Sequence, residues 1–158
     1  ACSCLITITK GEIRMRLILF TLLLCSMPPA SLLADEPEAA VLDAMSGYMD
    51  FAEYGGSLIW PAQIPAEDWS KILLIDARDA AQFDKEHIPG AIHIEWRQVL
   101  ARRDEIPKDR MVVIYCNSGS LSAQAVFALR VLGWENVKVL QDGMQGWKRL
   151  SLDAPVSH

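Results

Sequence analysis

The chain has 158 residues, of which 51% are apolar and 22% are charged, enough for one domain with one hydrophobic core. Its formal net charge is −5 and it has no cluster of basic residues, which argues against a nucleic-acid-binding protein. It also lacks sequence repeats of fixed period and runs of like charge, which argues against repeat arrays and charged tails.

The first 34 residues have the pattern of a secretory signal. Met15-Arg16, a candidate true start, precedes an apolar run over residues 17–25 and a stretch of prolines and small residues over 28–34. Because the apolar run is short for a bilayer span, we expect a cleaved leader at 1–34 and a periplasmic or otherwise exported protein. An uncleaved anchor, the one membrane contact that the sequence indicates, stays open. A lipoprotein signal at Cys25 is disfavoured because Leu24 is not a small residue.

The remaining sequence predicts a helical extension at 35–56, a single domain at 57–152 and a short tail at 153–158. Apolar runs alternate with helical segments through the domain, which favours an α/β fold, a mainly parallel central sheet flanked by helices. Strands are predicted at 57–60, 72–75, 91–94, 111–115 and 137–140, and helices at 36–54, 79–85, 96–104, 122–132 and 144–150.

Cysteine usage leaves one thiol to explain. Cys2, Cys4 and Cys25 lie in the predicted leader, so a processed chain keeps only Cys116. A lone cysteine cannot form an internal disulfide. It is therefore either an inert core thiol or a reactive one.

The sequence around Cys116 predicts an anion-binding loop. A buried strand over residues 111–115 delivers the cysteine to the carboxyl edge of the sheet, where open parallel sheets bind ligands. Small residues follow, and a helix is predicted from Ser122, which we expect to cap it. Backbone N–H groups in the loop and at the helix start would favour a thiolate and lower the pKa of Cys116. Gly119 would permit the tight curvature. The predicted N–H cradle comprises Asn117, Ser118, Gly119, Ser120, Leu121 and Ser122.

Four segments together resemble the rhodanese-like domain family. They are Ile75-Asp76-Ala77-Arg78, the run from His87 to Ile92, the strand end at Tyr115-Cys116, and the stretch from Gly133-Trp134 through Asp142-Gly143 to Trp147. Their order and spacing fit the family over about residues 57–150. The resemblance implies a three-layer rhodanese-like domain and a sulfurtransferase without a metal or an organic cofactor.

The resemblance also implies a reaction. The Cys116 thiolate would take the outer sulfur of a small anionic donor, thiosulfate or a polysulfide, and become a persulfide. Cyanide or a thiol would then accept that sulfur. Splitting the transfer into two steps through a covalent intermediate is a general advantage of nucleophilic catalysis.

The chain departs from the family at two loop positions. Many members have arginine where Asn117 and Leu121 stand, so this loop has no formal positive charge. We therefore expect a smaller decrease in the pKa of Cys116 and weaker binding of the thiosulfate dianion. Arg78 is a candidate to supply the missing charge.

Three further residues are predicted to support the loop. Asp76 and Arg78 are expected to form a structural ion pair, and His87 to act as a hydrogen-bonding strut beneath the loop. Two other functions would place different demands on the sequence. A related cysteine phosphatase would need arginine six positions after the cysteine, where Ser122 stands. A non-catalytic binding or redox-sensing module stays the alternative, although a sensor usually has a resolving cysteine.

Overall fold

The computed structural model describes residues 36–153, so the predicted leader and nearly all of the predicted tail lie outside the described residues. The described part alternates strands with helices along the chain. The helices are α1 (Glu36–Phe51), α2 (Ala80–Lys85), α3 (Ser120–Val131) and α4 (Gly143–Asp153), and the strands are β1 (Leu58–Ile59), β2 (Leu73–Asp76), β3 (Ile92–His93), β4 (Val112–Tyr115) and β5 (Val137–Leu140). Short 3-10 turns occupy Pro61–Gln63, Ala66–Asp68, Trp96–Gln98 and Arg103–Glu105.

The five strands form one parallel sheet in the order β1-β5-β4-β2-β3. The predicted α/β class with a parallel sheet is thus confirmed. β4 lies at the centre, between β5 and β2, and its last residue, Tyr115, is in register with Asp76 of β2. The parallel arrangement places the carboxyl ends of β2 and β4 side by side.

Alternation along β4 divides the core between the two faces of the sheet, as the period of two in a strand requires. Val112 and Ile114 pack in one cluster with α3 residues, and Val113 and Tyr115 pack in the other with Met144 of α4. All four residues of β4 are buried. Helices therefore cover both faces of the sheet, and the central strand is held from both sides.

The chain divides into compact units between Leu42 and Asp43, within α1, and the unit that begins at Asp43 contains the whole sheet. In that unit Tyr48 packs edge-on against Phe127 of α3, with 5.4 Å between ring centroids. No helix in the range 36–153 combines the length and the apolar character needed to cross a membrane.

Four predicted helices differ from the structure by more than one residue, and one of them, α4, ends at Asp153 rather than at residue 150. The helix α1 ends at Phe51 rather than at residue 54. The chain there forms turns instead, with hydrogen bonds from the Gly56 N–H to the Glu53 carbonyl oxygen and from the Leu58 N–H to the Gly55 carbonyl oxygen. The helix predicted at 96–104 is wrong, since only 3-10 turns form there. Val99 and Ile106 both insert into the core, so tertiary contacts rather than helical period set this segment. The helix α3 begins at Ser120, two residues before its predicted start, and this places Ser122 inside the helix that follows the Cys116 loop.

Candidate active site

Cys116 directly follows the central strand and is buried, with 2% of its surface exposed. The parallel topology places it at the carboxyl edge of the sheet. The loop that follows turns back over the thiol, and its first two residues, Asn117 and Ser118, are exposed. The sulfur therefore lies just beneath the surface, under a short loop.

Hydrogen-bond donors converge on the Cys116 sulfur. The backbone N–H of Gly119 donates to Sγ at 3.2 Å, and the Ser122 hydroxyl lies 3.6 Å from it. Burial raises the pKa of the thiol, but the N–H and hydroxyl of Ser122, with the N–H groups of Ser118 and Gly119, outweigh burial and lower it below its ordinary value. The geometry thus favours a thiolate.

Gly119 provides the turn between the loop and α3. It caps the helix with a φ of +108°, a conformation that glycine adopts at low cost and other residues rarely adopt. α3 therefore begins at Ser120, and the expectation that Ser122 caps it is wrong. Ser122 lies in the first helical turn instead, where its hydroxyl oxygen is 3.0 Å from the Gly119 carbonyl oxygen, so its single proton is directed either to that oxygen or to the sulfur. From that position the same hydroxyl faces the sulfur.

The N-terminus of α4 donates hydrogen bonds to the backbone at the start of the loop. The N–H of Met144 donates to the Cys116 carbonyl oxygen at 2.8 Å, and that of Gln145 to the Asn117 carbonyl oxygen at 3.2 Å. Gly143 makes this approach possible, because a Cβ there would lie 2.2 Å from the Cys116 carbonyl oxygen. These residues were not predicted to lie at the site, although the Asp142-Gly143 pair in the resemblance was a signal.

Asp76 and Arg78 form the expected ion pair. Arg78 Nε donates to Asp76 Oδ1 at 2.9 Å and Nη2 donates to Oδ2 at 2.6 Å, with both side chains almost fully buried. The hydrogen bond from Arg78 to Asp76 raises the pKa of the guanidinium above its ordinary value, so it stays charged. Nη2 also donates to the Glu86 carbonyl oxygen at 2.6 Å. The pair therefore joins the end of β2 to the segment that follows α2.

Arg78 also reaches the loop, through the side chain of Asn117. Its Nη1 lies 3.4 Å from Asn117 Oδ1, a long hydrogen bond. On its other side the Asn117 amide donates to Gln82 Oε1 at 2.7 Å, and Gln82 in turn donates to Asp79 Oδ2 at 2.5 Å. The structure thus adds Gln82 to the site. The sequence carried no signal for it, because α2 and the loop are distant along the chain.

His87 does not lie beneath the loop, so that expectation is wrong. Its ring is exposed, its Nδ1 lies 2.9 Å from the Phe83 carbonyl oxygen, and it stacks on the Phe83 ring. The contact to the central strand comes from the next residue, since the N–H of Ile88 donates to the Tyr115 hydroxyl at 3.0 Å. Burial raises the pKa of Tyr115, which keeps the phenol neutral.

Two of the supporting side chains, Asp76 and Arg78, thus lie at the site with Cys116, and His87 does not. Donors to the sulfur come from three of the six predicted cradle residues, Ser118, Gly119 and Ser122. Within residues 36–153, no three His, Cys, Asp or Glu side chains converge in a way that could hold a metal ion. The arrangement surrounds a buried thiol with N–H groups that favour its anionic form.

A family model described as "Rhodanese-like domain" matches residues 63–150 of the chain. The chain belongs to the rhodanese-like domain family. The matched residues run from the 3-10 turn after β1 to α4, so they include Cys116 and the residues described above that hydrogen-bond to its loop.

This rhodanese-like domain is similar to several known proteins. It is 40% identical over 85 residues to a sulfurtransferase of Allochromatium vinosum, covering 54% of this chain and 79% of that protein. It is 34% identical over 100 residues to a probable adenylyltransferase/sulfurtransferase, MoeZ, of Mycobacterium tuberculosis, covering 60% of this chain but only 25% of that protein. Among solved structures, the human single-domain sulfurtransferase TSTD1 aligns with a TM-score of 0.52 at 20% identity, over 59% of this chain and 96% of the human one. A rhodanese-related protein of Thermoplasma volcanium aligns with a TM-score of 0.54 at 23% identity, over 62% and 94%. At these identities the structural likenesses establish the fold.

Proposed function

We propose that this rhodanese-like domain is a sulfurtransferase that carries sulfane sulfur as a persulfide on Cys116. The observation that carries the proposal is the set of donors on Sγ, the Gly119 N–H at 3.2 Å and the Ser122 hydroxyl at 3.6 Å, which favour an anionic sulfur. The family, and the relatives named sulfurtransferases, support sulfur transfer in general.

The first half-reaction loads the cysteine. The thiolate attacks the outer sulfur of a donor such as thiosulfate or a polysulfide, a sulfur–sulfur bond forms on Cys116, and the donor's own sulfur–sulfur bond breaks. The electron pair of the broken bond leaves with sulfite or with the shortened polysulfide. Because the donors around Sγ lower the pKa of Cys116 and favour the thiolate, we assign no general base to this step.

The second half-reaction transfers the outer sulfur from Cys116 to an acceptor. A nucleophilic acceptor, a thiol or cyanide, attacks the outer sulfur and the Cys116 thiolate leaves. The N–H groups of Ser118, Gly119 and Ser122 stabilise negative charge at the sulfur on both sides of the exchange, as preorganised dipoles do in other active sites. No organic cofactor or metal takes part in either half-reaction.

The sequence of the predicted leader supports a location outside the cytoplasm. We propose that the protein is exported, since the pattern over residues 15–34 is that of a secretory signal. Fractionation of bacteria that express the chain with a C-terminal tag tests this: the tag is expected in the periplasmic fraction, and a cytoplasmic tag would contradict export.

A coupled assay tests the function. Thiocyanate formation from cyanide and either thiosulfate or a polysulfide is measured for the wild-type chain and for Cys116→Ser. We expect turnover with at least one donor in the wild type and none in Cys116→Ser, because serine cannot form a persulfide. Equal turnover by the two proteins would show that Cys116 does not carry the sulfur.

A further inference from the structure

We propose that Asn117 and Gln82 determine donor specificity at the loop, selecting persulfides whose carrier R has no charged group over the thiosulfate dianion. This inference rests on the proposed function, since it names the substrate class of the same site. It concerns the side chains of Asn117, at the start of the loop, and Gln82, on α2. We call these two side chains the lip of the loop.

The loop after Cys116 has no charged side chain of its own. The residues from Asn117 to Ser122 have no ionisable side chain. Among the described residues, Arg78 is the cationic side chain that hydrogen-bonds to a loop residue. Its charge is balanced by Asp76, and Asp79 lies one residue beyond. The three charged side chains of this hydrogen-bond network, Arg78, Asp76 and Asp79, therefore sum to a net negative charge.

Each guanidinium nitrogen of Arg78 already has a protein acceptor. Nε donates to Asp76, Nη2 donates to Asp76 and to the Glu86 carbonyl oxygen, and Nη1 faces Asn117. A bidentate clamp on an oxyanion needs two free N–H groups aimed in one direction. Arg78 could present such a pair only by breaking its buried ion pair.

The Asn117 amide also has a protein partner on each of its two polar atoms. Its oxygen faces Arg78 and its nitrogen donates to Gln82, whose own nitrogen donates to Asp79. Two neutral amides thus occupy the space between the loop and α2, and their partners are internal. The lip offers hydrogen bonding at no net charge.

The two donor classes place different demands on this lip. Thiosulfate brings a sulfonate that leaves as sulfite with two negative charges. A persulfide RSSH with a neutral carrier leaves only RS⁻: Cys116-S⁻ attacks the outer sulfur, the Cys116 S–S bond forms, the RS–S bond breaks, and its electron pair departs with RS⁻. The proton stays on the transferred sulfur or is lost to solvent. With the protonated donor RSSH, the N–H groups in the loop face one negative charge instead of the three present with thiosulfate, so a neutral lip suits this donor better.

A charge-introducing substitution tests the inference. Persulfidation of the full chain, with Cys2→Ser, Cys4→Ser and Cys25→Ser so that Cys116 is its one thiol, is followed by quench and intact mass. The donors are N-acetylcysteamine persulfide and thiosulfate. Asn117→Arg is expected to raise the second-order rate constant for thiosulfate about tenfold, the effect of one charge-assisted hydrogen bond. The rate constant for the neutral-carrier persulfide should not rise with it.

Matched variants isolate the cause. Asn117→Gln enlarges the side chain without charge and should raise neither rate constant. Gln98→Arg adds the same charge at an exposed position in the Trp96–Gln98 turn and should leave the donor preference as in the wild type. If Asn117→Arg unfolds, Gln82→Arg brings a cation to the same lip from α2 and is expected to show the same gain.

The outcomes separate the two proposals. A rise for thiosulfate only with arginine at the lip supports the inference. Rapid loading of the wild type by thiosulfate that arginine does not improve would overturn the inference and leave the sulfurtransferase intact. Absence of sulfur uptake from both donors would overturn the proposed function itself, and this inference with it.

Discussion

The Cys116 sulfur and the few atoms within hydrogen-bond reach of it determine the chemistry at the scale of single residues. The sequence predicted a thiol at the end of a strand with backbone donors around it. It could not predict that the Ser122 hydroxyl would face the sulfur, since that required α3 to begin two residues early. It missed Gln82 and Gly143 because both reach the loop only through tertiary packing.

Removing the Ser122 hydroxyl is expected to make the thiol less acidic. Burial raises the pKa of Cys116, the Ser122 groups oppose it, and the net pKa is lowered, so the alkylation rate should level off at a pH below that of an ordinary thiol. Ser122→Ala should move the pH profile of iodoacetamide alkylation upward. Ser120→Ala, which removes an exposed hydroxyl from the same helical turn, should leave it in place. Identical profiles for wild type and Ser122→Ala would contradict the assigned contact.

Adding a methyl group at Gly143 is expected to displace the loop. The new Cβ would lie 2.2 Å from the Cys116 carbonyl oxygen, and the backbone there has a φ of +51°. Gly143→Ala should lose about 1–3 kcal/mol of unfolding free energy in urea, with a fall in thiocyanate formation. The control is Gly47→Ala within α1, which meets no atom within 4 Å and should be neutral or stabilising. Full activity in Gly143→Ala would show that the loop does not need the close approach of α4.

At the scale of elements, the strand–loop–helix unit of β4 and α3 could be predicted because its apolar run, small-residue loop and helical period are all local in sequence. The segment at 96–106 could not, since buried Val99 and Ile106 override its helical pattern. The ion pair at the end of β2 is also a property of elements, because it joins a strand to the segment that follows the next helix.

Breaking that ion pair is expected to cost far more than breaking a surface pair. Asp76→Ala leaves Arg78 charged and almost fully buried, which should lower the unfolding free energy by about 3–5 kcal/mol. Asp68→Ala removes the exposed partner of Lys71 and should cost no more than about 1 kcal/mol. Urea denaturation of the two variants measures both. Similar losses would mean that the buried pair does not brace β2.

At the scale of the whole molecule, the site depends on strand order. β2 and β4 are adjacent, with Asp76 opposite Tyr115, so their carboxyl ends place Arg78 next to the loop of Cys116. The sequence predicted a parallel sheet, and the resemblance supplied its family. The order of the strands and the position of α4 behind the loop required the packed structure, since each depends on contacts between distant parts of the chain.

Intact-mass spectrometry tests the persulfide on Cys116 most directly. The full chain carrying Cys2→Ser, Cys4→Ser and Cys25→Ser is measured before and after treatment with thiosulfate or a polysulfide, beside the same chain with Cys116→Ser. We expect a gain of one sulfur atom with at least one donor, its removal by cyanide, and no gain in the Cys116→Ser chain. No sulfur uptake from either donor, with the thiol still open to alkylation, would contradict a sulfurtransferase and favour a binding or redox-sensing module.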